Sequence, residues 1–162
     1  MIYRINKAIE DSLSELKVNA LGIAEPIVIR DGNDVEIPAI ILSDGECLSV
    51  LDDDSDVCCY HKITKKTYST DNKGGYGDSK KVSSESDMSL VIYGFRTKIT
   101  PYDAEQMITK AIMGLCTVTS VDFNRNTLFY QEYSGIRFFL QPDVFLIKIN
   151  YKLKEKLNSC SF

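Results

Sequence analysis

The chain has 162 residues and a formal net charge of −4, from 23 acidic and 19 basic side chains, with 44% hydrophobic and 26% charged residues. A chain of this length buries about 68–70% of its unfolded surface on folding, enough for one core without disulfide or metal staples. Mild acidity argues against general nucleic-acid binding, which draws on a concentrated basic face, and the longest apolar run, residues 37–42, falls far short of the roughly 20 residues that cross a bilayer.

The first predicted element is a helix. Ile2, Ile5, Ile9, Leu13 and Leu16 recur at helical spacing as one apolar stripe, with Lys7, Glu10, Asp11, Ser14 and Glu15 covering the rest. The helix is expected to run to about Val18–Ala20, with Gly22 as its stop. Its charged beginning lacks the apolar block of a secretory signal, so the expectation is a cytoplasmic chain. After Pro26, residues 27–29 and 35–42 flank Asp31-Gly32-Asn33-Asp34, an Asp-Gly turn that predicts an antiparallel hairpin. Residues 47–51 alternate weakly. Residues 58–68 read as a strand with Cys59, His61, Ile63 and Lys65 on one face and Tyr60, Lys62, Thr64 and Lys66 on the other.

Residues 69–89 differ in kind: only Tyr76, Val82 and Met88 depart from polar residues and glycine, which predicts a flexible polar loop between two strands. Residues 90–95 resume a buried strand. Thr100 is an N-cap, Pro101 suits the first helical position, and Asp103 lies near the positive end of the dipole. A second helix follows, with Ala104, Met107, Ile108, Ala111, Ile112 and Leu115 as its stripe and Gly114 where it weakens. Residues 118–123 and 127–133 predict two strands around a turn. The last strand, 144–153, places Phe145, Ile147, Ile149, Tyr151 and Leu153 on a buried face, opposite Leu146, Lys148, Asn150, Lys152 and Lys154 on a wet, basic one. The pattern is α+β: a mostly antiparallel sheet with two amphipathic helices on one face, in a single domain over residues 1–162.

Several chemistries can be weighed on their spacing. Asp52, Asp54 and Asp56 mimic a calcium loop, but Val57 stands where the turn needs glycine and Ile63 where a glutamate should close the site. The better reading is a solvated acidic turn. Cys47, Cys58, Cys59 and His61 lack the paired spacing of a zinc set, and adjacent cysteines point to opposite faces of a strand. Five cysteines (47, 58, 59, 116 and 160), odd in number and irregular, read as reduced thiols. His61, the single histidine, stands among lysines and reads as a surface residue with no nucleophile elbow nearby. The Gly74-Gly75-Tyr76-Gly77 run lacks the lysine of a phosphate loop. No metal, cofactor or catalytic residue is therefore expected.

Charge is segregated along the chain. Residues 43–56 hold six acids and no base, residues 62–81 hold six lysines and two acids, and Lys148, Lys152, Lys154 and Lys156 extend the basic set. Opposite patches on one small domain suit head-to-tail contact between copies. Asp52, Asp53, Asp54, Asp56, Lys62, Lys65 and Lys66 are the candidate subunit-contact residues.

The order of elements, the passage Ser89-Leu90-Val91-Ile92-Tyr93-Gly94-Phe95 into the helix from Pro101 to Leu115, and the closing run from Arg137 through Gln141-Pro142-Asp143 to Ile149 together resemble the tail terminator, or tail completion and head–tail joining, proteins of bacteriophages and prophages. The resemblance implies a non-enzymatic structural protein that forms a ring, often hexameric, ends tail-tube growth and meets the head connector. It implies self and other tail or connector proteins as partners, without nucleic acid or membrane, and a place in the host cytoplasm or the tail particle. Two other readings stay open: a cytoplasmic α+β module binding a protein or small ligand at its sheet edge, and an enzyme with an unrecognised carboxylate or thiol site.

Overall fold

A computed structural model describes residues 1–30, 36–42, 44–49, 54–71, 81–125, 127–128 and 142–157. Its elements are α1 (Ile2–Ser12), β1 (Val18–Arg30), β2 (Glu36–Leu42), β3 (Cys47–Ser49), β4 (Val57–Asp71), β5 (Lys81–Phe95), α2 (Pro101–Ile112), β6 (Thr117–Asp122) and β7 (Val144–Leu157). The strands form one seven-stranded sheet in the order β3-β2-β1-β4-β5-β7-β6. Only β1 and β4 run parallel; the other neighbours are antiparallel. The fold is therefore α+β.

Both helices lie on one face of the sheet. Ile5 and Ile9 of α1 and Ala104, Ile108 and Ile112 of α2 pack with Cys59, Leu90, Ile92, Phe145, Ile147 and Ile149 in the main core cluster. Each fully buried isoleucine there contributes about 1.5–3 kcal/mol by leaving water. The α2 start follows its sequence signals: Thr100 Oγ1 accepts a hydrogen bond from the Asp103 amide at 3.2 Å, and Pro101 occupies the first turn. Close packing reaches the backbone at Gly94, where an added Cβ would come within 2.5 Å of Phe145 Cζ.

Five expectations about the elements need correction. The first helix ends at Ser12, well before Val18, because Val18, Asn19 and Ala20 take up ladder pairing with Val57, Cys58 and Cys59. Gly22 is no helix stop; it sits at the irregularity between Ala20 and Ile23 within β1. The expected loop over residues 69–89 is strand at both ends, since β4 reaches Asp71 and β5 begins at Lys81; residues 72–80 lie outside the described residues. Two-sided pairing explains it: β5 bonds β4 on one side and β7 on the other along its length, so its polar residues gain a full ladder without an apolar face. The strand expected from Thr127 begins instead as a helical turn, with Leu128 N donating to Asn124 O at 2.8 Å and Thr127 N to Asn124 Oδ1 at 3.2 Å; residues 129–133 lie outside the described residues. Finally, the second face of β7 is dry at its start. Val144 and Leu146 are buried there with Tyr60, Val91, Tyr93 and Leu128 in a second core cluster, and polar residues take over only further along.

The antiparallel pairing expected on either side of residues 31–34 is present, with β1 and β2 paired from Ala24↔Leu42 to Arg30↔Glu36; the turn itself, residues 31–35, lies outside the described residues. Among the described residues, no helix is long and apolar enough to cross a membrane.

Candidate functional site

Among the described residues, a polar assembly lies on each face of the sheet. The first centres on His61, which is fully buried, contrary to its reading as a surface residue. The lysines around it misled that reading, while strand parity pointed the other way: His61 shares its face with Cys59, and both stand opposite apolar partners, Leu90 and Ile92. Its Nε2 lies 2.7 Å from Asn6 Oδ1 and its Nδ1 2.7 Å from the Tyr151 hydroxyl. Asn6 Nδ2 donates to the Leu21 carbonyl at 3.0 Å, so Asn6 Oδ1 must face the ring as an acceptor. That orientation assigns the imidazole proton to Nε2. Nδ1 then accepts from the Tyr151 O–H, and the chain Tyr151 to His61 to Asn6 to Leu21 runs in one direction with each ring nitrogen satisfied.

Burial lowers the His61 pKa to about 4, so the ring is neutral at physiological pH. The Tyr151 phenol and the Cys59 thiol are both pushed well up, in each case first by burial, and Cys116 rises to about 11 for the same reason. These are thiols and a phenol held in their protonated forms, unsuited to nucleophilic attack at neutral pH. The assembly ties α1, β1, β4 and β7 together at one point inside the helix-covered face.

The second assembly lies on the opposite face, where β4, β5 and β7 continue past the apolar clusters. Cross-strand register sets three rows: Lys65 with Asp87 and Lys152, Thr67 with Glu85 and Lys154, and Ser69 with Ser83 and Lys156. Lys152 Nζ sits 3.2 Å from Glu85 Oε1 and 3.9 Å from Asp87 Oδ1, and Lys154 Nζ 3.6 Å from Glu85 Oε2. The hydrogen bond from Lys152 is the main reason the Glu85 carboxyl is held below the usual carboxylate range. Lys154 remains 78% exposed.

The candidate contact residues fall into different environments. Lys62 is half-buried on the face away from the helices, in register with Ser89. Lys65 is exposed on that same face, because the irregularity between Ile63 and Lys65 leaves Thr64 as an extra residue and reverses the alternation. The expectation that Lys65 shares a face with Cys59, His61 and Ile63 is corrected accordingly. Lys66 falls to the helix side, its Nζ 5.4 Å from the Tyr68 ring centroid. Asp56 is engaged internally: its Oδ2 accepts from the Lys17 amide at 2.9 Å, and its own amide donates to the Lys17 carbonyl. Asp54 is exposed. Asp52 and Asp53 lie outside the described residues.

A shallow groove of about 430 Å³ separates the end of α1 from α2, lined by residues including Leu13, Glu15, Lys98, Ile99 and Met107. Among the described residues, no group of three or more His, Cys, Asp or Glu side chains is placed to hold a metal ion. Cys58 and Cys59, the adjacent pair in the zinc set weighed above, point to opposite faces of β4. No family model matches the chain, and no curated protein matches it.

Proposed function

We propose that this chain is a non-enzymatic structural subunit of the phage tail terminator kind, which assembles with copies of itself into a ring and meets a tail tube and a head connector. The observation that carries this reading is the outer half of the β4–β5–β7 ribbon. Residues 65–70 of β4 are exposed throughout, and the rows beside them are built from charged and hydroxyl side chains. The face of the ribbon away from the helices is exposed and charged, which suits contact with a neighbouring subunit. The resemblance in element order supports the same conclusion. So does the chemistry of the buried assembly, whose ring nitrogens are spent on internal hydrogen bonds.

Native mass spectrometry and negative-stain imaging of the purified chain at high concentration and low salt test the proposal. A discrete oligomer with a central opening is expected. A protein that stays monomeric, alone and in the presence of assembled tail tubes, would overturn it.

A further inference from the structure

The acidic turn sits at the β3 edge of the sheet, and the outer lysines sit on the stretch of β7 beyond Lys152, past the end of its pairing with the edge strand β6. Asp44 and Glu46 project from the turn between β2 and β3, at the β3 edge. The turn is tight: Gly45 takes φ +88°, and the Glu46 amide donates to Asp44 Oδ1 at 2.9 Å, which holds the two acids close together. The lysine rows lie on β7, five strand intervals away, or roughly 24 Å across the sheet at about 4.8 Å per interval. Poles that far apart cannot satisfy each other within one subunit. They also do not suit a two-fold dimer, in which the same patch meets itself; they suit a head-to-tail contact that repeats.

We propose that the lysine face of β7, centred on Lys154 and Lys156, docks the acidic β2–β3 turn of a second copy of this chain. The proposal rests on the ring-forming reading above and names the two surfaces that meet. Lysines at every second residue of β7 recur at about 6.8 Å, and a compact turn carrying two acids fits between neighbouring rows. Glu85 and Asp87 hold Lys152 from β5, and Glu85 also pairs with Lys154 at 3.6 Å while leaving it 78% exposed, so a partner carboxylate adds to Glu85 at Lys154 and meets Lys156 in the outermost row. The same two acids weigh against a nucleic-acid occupant, because a run of phosphates laid along β7 would meet both carboxylates.

The test uses two charge-reversed proteins, Asp44→Lys with Glu46→Lys, and Lys154→Glu with Lys156→Glu, each followed by light scattering and native mass spectrometry. Each alone presents like charges at the contact and should lose association at least tenfold. Mixed in equal amounts they present complementary charges at every contact, and the oligomer should return. The neutral pair Lys154→Gln with Lys156→Gln should associate weakly and lose the salt dependence of the wild type, with an unchanged circular dichroism spectrum, which separates a lost contact from a lost fold. Wild-type protein that associates while either reversed protein does so equally, or a mixture that stays apart, overturns the docking and leaves the ring reading standing. A wild type that never associates overturns both. Retention of a short DNA duplex by the wild type, lost on Lys154→Glu with Lys156→Glu, assigns the face to phosphate and overturns the docking.

Discussion

Acid should loosen this fold through one residue. His61 is fully buried, and burial takes its pKa from 6.5 to about 4. A group whose pKa is depressed on folding stabilises the native state fully above its unfolded pKa and loses that contribution as pH falls toward the folded value. The gap corresponds to about 3 kcal/mol at roughly 1.36 kcal/mol per pH unit, of which more than half, about 2 kcal/mol, is gone by pH 5. Protonation also breaks the directional chain: Nδ1 becomes a donor, so it no longer accepts from Tyr151, whose hydroxyl must turn to receive it. Urea denaturation between pH 7.5 and 4.5, on wild type and His61→Gln, isolates the effect, since carboxylates titrate alike in both. The wild-type advantage should be constant above pH 7 and shrink steadily below pH 6.5. Because the chain holds a single histidine, NMR follows its ring without overlap. A stability difference flat across the whole range, or a ring titrating near 6.5 in the folded protein, would refute the reasoning.

Other perturbations follow from the same geometry. Gly94→Ala drives a methyl into the Phe145 ring and should cost about 1–3 kcal/mol in urea denaturation; a neutral result would mean that Phe145 moves aside freely. A thiol reagent at neutral pH should label exposed Cys47 within its first phase, while buried Cys58 and Cys59 react only as the protein unfolds, which peptide mapping checks. Lys65→Glu should weaken self-association, whereas Lys66→Glu, on the other face beside Tyr68, should leave it close to wild type; neither should shift the urea midpoint much, because exposed charges contribute little to stability. Hydrogen exchange should divide β4 in two, with amides near Cys59 opening only globally and those over residues 66–70 opening locally and faster.

The elements easiest to read were those whose local signals and tertiary environment agree. At α2 the cap, the proline and the apolar stripe all coincide, and the structure uses Thr100, Pro101, Ala104, Ile108 and Ile112 as the sequence indicates. The hairpin at residues 27–42 and the buried face of β7 are legible for the same reason. Misreadings occur where pairing between distant segments overrides local composition. Val18 carries on a helical pattern, yet strand pairing to Val57 outweighs it. Residues 83–89 have too few apolar side chains to announce a strand, and only the neighbours β4 and β7 make them one. The extra residue at Thr64 leaves no mark in composition, although it decides which face Lys65 occupies. The partners of His61, Asn6 and Tyr151, stand 55 and 90 residues away, so spacing along the chain could not have linked them.

The two polar assemblies separate what specifies this fold from what remains available to a partner. Around His61 every bond is closed within the subunit and every titrating group is held neutral, so a change there is read as stability. Along the ribbon the backbone ladder is closed but the side chains are charged and open to water, with Lys154 and Glu85 paired at surface strength only. Surface pairs of that kind add little to folding and exchange partners at small cost, because water already shares both ions. A neighbouring carboxylate can therefore replace water around Lys154 without displacing any part of the core. The proposed assembly through this face is then separable from folding. The separation requires charge reversal on β7 to abolish association in a protein that still melts like the wild type, and it requires loss of the Asn6 to His61 bond to do the opposite.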